Sequence, residues 1–213
     1  MYTVQGTIDI EDVDTVNITT TSEKLATSDY SQYTAAVALA QDGKAININT
    51  QTATANRISL KADSDSEITT GTWLEAGLEI YPGFIRVGGD ATENVRFEVT
   101  GRSDLIDNSM DYEGQPKLPH KNVAAGMYGD FRSQSGGPNL SCDTLIKGQS
   151  VDFIIRGEKE THAAAMWADL TSKHRVEADT VSMNVTTSGT GDAHGMMAEC
   201  WDVRWGVPGH NTV

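Results

Sequence analysis

Positive charge is scarce in this chain of 213 residues: 16 Lys and Arg stand against 30 Asp and Glu, a formal net charge of −14. The few cations are also scattered along the sequence. A protein that binds nucleic acid through its phosphates concentrates Lys and Arg on one face, so no direct nucleic-acid binding is expected. Long apolar runs are missing as well. Stretches such as Ala35 to Ala40 and Phe153 to Ile155 fall far short of the roughly 20 residues a membrane helix needs, and no membrane insertion is expected. The segment Met1 to Ile10 has neither a basic n-region nor an apolar h-region. It reads as a strand, with no secretory signal.

Cysteine is nearly absent. Cys142 and Cys200 lie 58 positions apart, too few for a disulfide scaffold and without the paired spacing of a structural zinc site. They read as buried free thiols; the alternative is a disulfide, within the chain or between subunits, with Cys142 as the better candidate for an intersubunit bridge. Active-site signatures are missing too: there is no Gly-x-Ser-x-Gly elbow and no glycine-rich phosphate loop. No catalytic residue and no cofactor are therefore expected. His194, Cys200 and His210 gather near the C-terminus but lack the close pairs that place two ligands on one zinc ion. The acidic run Asp63-Ser64-Asp65-Ser66-Glu67 has Ile68 where a calcium loop needs glycine, so no metal is expected either. Three Asn-x-Ser/Thr triplets begin at Asn17, Asn139 and Asn184; in a Thr-rich chain, chance accounts for them.

What the sequence does contain is period-two alternation. Ile8 and Ile10, Ile46 and Ile48, Ile58 and Leu60, then Val95, Phe97 and Val99 fall on one face of their segments, and Val181, Met183 and Val185 repeat the pattern. Ile68 to Leu74, Leu78 to Val87 and Val151 to Arg156 also read as strands. Alternation of this kind marks strands with one buried face. Separators such as Asp42-Gly43 and Gly88-Gly89-Asp90 supply turns. The expectation is an all-β chain, an antiparallel β-sandwich or jelly roll, forming one domain over residues 1–213. The stretch 101–148, rich in Gly, Pro, Asn and Asp, reads as a loop-rich insertion. At most one or two short helices are expected: Glu160 to Ser172, capped by Thr161 with Ala164, Trp167, Ala168 and Leu170 on one face, and, undecided between helix and strand, Tyr33 to Gln41. No internal repeat is evident. Trp201, Val203 and Trp205 alternate on a terminal strand.

In architecture the chain resembles the single jelly-roll coat proteins of icosahedral viruses, including the acidic ones of membrane-containing viruses of halophilic archaea. The resemblance rests on strands such as Val95-Arg96-Phe97-Glu98-Val99 and Val181-Ser182-Met183-Asn184-Val185 in a chain of suitable length. It carries over no functional residue. It implies a virion structural protein, a capsid subunit made in the host cytoplasm, whose partners are copies of itself and other virion proteins. Excess acid keeps a surface hydrated where salt screens repulsion, so a saline habitat is expected, with stability rising from tens of millimolar to molar salt. The alternative reading is a carbohydrate-binding or receptor-binding β-sandwich, a spike or tail component, in which Trp201 and Trp205 stack on sugar rings.

Overall fold

The computed structural model describes residues 2–3, 6–23, 33–39, 43–65, 68–75, 83–102, 123–130, 142–169 and 172–199. The chain winds in coils of three strands each. The first coil holds β1 (Tyr2–Thr3), β2 (Gly6–Ile10) and β3 (Thr15–Ser22); the second holds β4 (Tyr33–Leu39), β5 (Gly43–Ile48) and β6 (Asn56–Ser64). The third runs through β7 (Ile68–Glu75), β8 (Phe84–Val87) and β9 (Thr92–Gly101), the fourth through β10 (Val123–Asp130), β11 (Cys142–Lys147) and β12 (Ser150–Gly157). The fifth holds β13 (His162–Asp169), β14 (Ser172–Glu177) and β15 (Thr180–Thr187), and β16 (Ala193–Glu199) begins the next.

Each strand pairs in parallel with the strand three positions along, giving three sheets. Sheet A holds β1, β4, β7, β10, β13 and β16; sheet B holds β2, β5, β8, β11 and β14; sheet C holds β3, β6, β9, β12 and β15. This is a three-sided parallel β-solenoid, and it corrects the expected antiparallel sandwich. The alternation is real in both architectures, because period two reports which face is buried and carries no information on strand direction. Direction is set by the connections. Here the chain turns a corner into the next sheet where a hairpin would fold it back.

The core fills the space between the three sheets. In sheet B, Ile10, Ile48, Val87, Ile146 and Val176 stack in one inward row, and Ile8, Ile46 and Ile85 begin another. From sheet C come Val16, Ile58, Val95 and Val151, and beside them Ile18, Leu60, Phe97 and Phe153. Phe97 and Phe153 stack with ring centroids 4.8 Å apart and planes 8° from parallel, the repeat of neighbouring strands. Burying each such side chain contributes about 1.5–3 kcal/mol.

Sheet A is built from smaller residues. Its paired registers pass over one residue in every strand after the first: Ala36, Gly71, Gly126, Ala165 and Gly195. The position demands a small side chain. A Cβ on Gly126 would stand 2.5 Å from Cδ1 of Phe153 and 2.7 Å from the Ala165 carbonyl. The repeat is therefore present in the sequence, but its copies are 35, 55, 39 and 30 residues apart, which hides it from a search at fixed period.

The segment expected as a helix from Glu160 to Ser172 contains β13 and the start of β14, and Tyr33 to Leu39 is β4. Alanine favours helix only weakly. Packing decides here: Ala163 and Ala165 are buried in the main core, while Ala164 and Trp167 join Val123, Ala125, Tyr128 and Met197 in a second cluster. The stretch expected as a loop excursion over 101–148 likewise carries β10 and β11.

The corners between sheets B and C are polar and buried. Asn49, in the left-handed region at φ 49°, donates from its backbone N–H to the Ile10 carbonyl at 2.7 Å. Its side chain donates to the Val13 carbonyl at 2.7 Å and accepts from Thr52 Oγ1 at 3.1 Å. One coil on, Thr92 Oγ1 donates to Asn56 Oδ1 at 2.9 Å and accepts from the Gly89 N–H at 3.0 Å. Gly88, at φ 80°, turns the third corner where a Cβ would meet the Lys147 carbonyl.

Candidate functional site: a cleft on the outer face of sheet B

Residues between the inward rows of sheet B point outward and stack from coil to coil. One outer row reads Thr7, Ala45, Phe84, Asp143 and Lys173; the next reads Asp9, Asn47, Arg86, Leu145 and Arg175. The first two coils are small and polar, with Asn47 Nδ2 donating to Asp9 Oδ1 at 2.7 Å. The last three change character. Phe84, Arg86, Asp143, Thr144, Leu145, Lys173 and Arg175 line a cleft of about 130 Å³.

The cations around this cleft are in two different states. Arg175 is held by Glu177 at 2.6 Å, and Lys147 by Asp90 at 2.7 Å with Glu177 at 3.8 Å. The hydrogen bond and charge of Asp90 raise the pKa of Lys147. Arg86 and Lys173 have no ion-pair partner among the described residues. Arg86 instead lies over the Phe84 ring, with Cζ 4.9 Å from the centroid, a cation–π contact that orients the guanidinium. Arg57, Lys61 and Arg96 on sheet C, and Arg102 just past β9, are each paired with a carboxylate. Arg156 on β12 has, like Arg86 and Lys173, no ion-pair partner among the described residues; Arg86 and Lys173 differ from it in lining a cleft.

Behind the cleft the inward row begun by Ile8, Ile46 and Ile85 continues as Thr144 and His174. Three buried side-chain polar atoms lack a hydrogen-bond partner among the described residues: Asp143 Oδ1, Thr144 Oγ1 and His174 Nδ1. All three adjoin this one place, since Thr144 and His174 are lateral partners and Asp143 precedes Thr144. His174 Nε2 lies 2.9 Å from the Trp167 carbonyl. A carbonyl only accepts, so Nε2 carries the proton and Nδ1 presents a lone pair. Burial lowers the pKa of His174, against the opposing effects of the Trp167 hydrogen bond and the Asp143 charge. The ring is neutral at pH 7.

The residues singled out in the sequence fall elsewhere. Cys142 is the first residue of β11, in register with Ser172; Cys200, Trp201 and Trp205 lie outside the described residues, as do His210 and Asn139. Trp167 is buried, and His194 packs edge-on against it at 6.5 Å. Asp63 and Asp65 serve as counter-ions to Arg102. Among the described residues no group of three or more His, Cys, Asp or Glu is placed to hold a metal ion. None of their helices is long and apolar enough to cross a membrane. Asn17 and Asn184 are exposed on the outer face of sheet C.

Sequence reasoning missed Arg86 and Lys173 because they are 87 positions apart, inside ordinary alternating segments. The available signal was cations at outward positions, in Ile85-Arg86-Val87 and in Lys173-His174-Arg175. It becomes a cluster only when the coils are stacked.

Comparison with known proteins gives no match: no family model fits the chain, and no curated protein or solved structure matches it. The fold and the cleft define the class, a three-sided parallel β-solenoid with a charged site on one outer face.

Proposed function

We propose that the chain is a non-catalytic recognition module that binds a carbohydrate or glycosylated receptor in the sheet B cleft. The observation that carries this reading is the pair of cations without an ion-pair partner among the described residues, Arg86 and Lys173, beside Phe84, Leu145 and Asp143 in a protein with a net charge of −14. An acidic chain has carboxylates to spare for pairing, and Arg57, Lys61, Arg96 and Arg102 are paired in this way. Two cations left without one in a concave, part-apolar setting suit a ligand that brings the counter-charge. Strands stacked in register hold such a site more precisely than loops would.

Among the described residues Asp143 is the one carboxylate lining the cleft. Acid–base cleavage of a sugar bond uses two carboxyl groups on opposite sides of it, so binding suits the site better than hydrolysis. The capsid-subunit expectation drew on an antiparallel jelly roll. The receptor-binding alternative drew on a β-sandwich with Trp201 and Trp205, so parallel coils remove the architectural ground of both readings, and the recognition reading rests instead on the cleft residues, with Phe84 and Leu145 as its apolar part.

A glycan array probed with the chain tests the reading. Binding that disappears in Lys173→Ala and Leu145→Asp, with unchanged circular dichroism, is the expected result. Absence of binding to any glycan overturns it.

A further inference from the structure

We infer that the ligand of the cleft is a carboxylate-bearing sugar unit, such as the uronic acid of an acidic glycan; the inference rests on the recognition reading above. The donor and acceptor inventory selects this chemistry. Arg86 and Lys173 offer charge-assisted hydrogen bonds, and an arginine fork matches a carboxylate in two parallel contacts. Asp143, between them on β11, offers only acceptors when ionised. Asp143 lines the cleft.

A bare anion such as phosphate would gain from the two cations but be repelled by Asp143. A neutral sugar would satisfy Asp143 through its hydroxyls but leave both cations unmatched. A sugar acid carries both functions on one ring: a carboxylate for the cations and hydroxyl donors for Asp143. Leu145 stands between Arg86 and Arg175 in the same row and supplies an apolar surface for the ring's C–H face. Phe84 acts through Arg86, whose guanidinium lies over its ring, and is a positioning residue. The overall charge sets a further limit. A long polyanion would meet repulsion beyond the cleft, so a short acidic stretch or a single charged unit fits better.

Calorimetric titration of the whole chain with a short oligogalacturonate, the matched neutral galactose oligosaccharide and inorganic phosphate tests this. The expected result is binding of the oligogalacturonate, at least about tenfold tighter than either control, weakened about tenfold or more by Arg86→Ala and by Lys173→Ala. Phe84→Leu should cost less than Arg86→Ala, because the charge survives. Asp143→Asn is the discriminating variant. It weakens a sugar acid that donates hydroxyls to Asp143 and strengthens a bare anion by removing a like charge. Equal binding of the neutral oligosaccharide, untouched by the charge variants, overturns the inference and leaves the recognition reading standing. Phosphate binding that matches the oligogalacturonate and improves in Asp143→Asn overturns it in favour of a simple anion site. If neither oligosaccharide binds and the glycan array is also blank, both readings fall.

Discussion

Glu11 receives the Thr50 N–H at 3.2 Å and the Thr50 hydroxyl at 2.7 Å on Oε1, and the Gln51 N–H at 3.2 Å on Oε2. Partial burial raises its pKa, but the bonds from Thr50, Gln51 and Thr52 together outweigh that effect and leave it lowered. A carboxylate with a lowered folded pKa contributes stability that is present above its ordinary value of 4.5 and lost as pH falls through the folded one. Glu11→Gln should therefore cost about 1 kcal/mol at pH 7, read from urea midpoints, and the difference from the parent should shrink in acid. A difference that is constant down to pH 3 would contradict it. His174 acts in a higher window. Its lowered pKa means that the unfolded chain protonates first as pH drops below 6.5, so stability falls from there and is regained on return to neutral pH. His174→Gln should remove that step while Glu11→Gln leaves it in place. Thr144, whose hydroxyl has no partner among the described residues, gives a prediction of opposite sign. Thr144→Val should leave stability unchanged or raise it by about 1 kcal/mol; a clear loss would reveal a hydrogen bond to that hydroxyl. None of these roles was legible in the sequence: Glu11 is bonded to Thr50, 39 residues along the chain, and Thr144 and His174 are neighbours only because the coils stack.

At the level of the strand, the sequence was informative about faces and silent about direction. Ile46 and Ile48, Ile58 and Leu60, and Val95, Phe97 and Val99 were all expected on one side, and all are buried in the core. Whether those strands run parallel depends on corners such as Asn49 to Asn56, whose hydrogen bonds link one coil to the next. Asn49→Ala removes three side-chain hydrogen bonds, two with the Val13 backbone and one with Thr52, and places alanine in the left-handed region; it should cost about 2–3 kcal/mol in equilibrium unfolding. A loss below about 0.5 kcal/mol would show that the corner is not held this way. The error over Glu160 to Ser172 has a physical source too. Its apolar residues satisfy a helical face on paper, but Ala163, Ala164 and Ala165 are small enough to be buried on both sides of a sheet, and the tertiary contacts override a weak propensity. Gly126→Ala tests the matching demand on sheet A. Its new methyl meets the Phe153 ring and the Ala165 carbonyl and should lower stability by about 1–3 kcal/mol. Gly126→Ala combined with Phe153→Leu should recover part of that loss if the ring is the obstacle.

For the whole molecule, unequal loops concealed the repeat while the period-two alternation pointed correctly to a β-rich chain. The acid excess has two consequences of opposite sign. Screening should stabilise the fold by relieving repulsion among its carboxylates, the saline expectation, whereas the same salt should weaken an anionic ligand held by Arg86 and Lys173. Thermal melts and binding isotherms across one salt series separate the two. The site itself was invisible in sequence because its cations come from the third and fifth coils and its carboxylate from the fourth. The central claim is thus one of place: a single outer face of the solenoid is the binding face. Amide chemical-shift mapping during titration with the short oligogalacturonate tests it most directly. The account predicts perturbations concentrated at Phe84 to Val87, Asp143 to Lys147 and Lys173 to Glu177, with sheet C unmoved. Saturable shifts centred on sheet C instead, with these three segments unchanged, would contradict it.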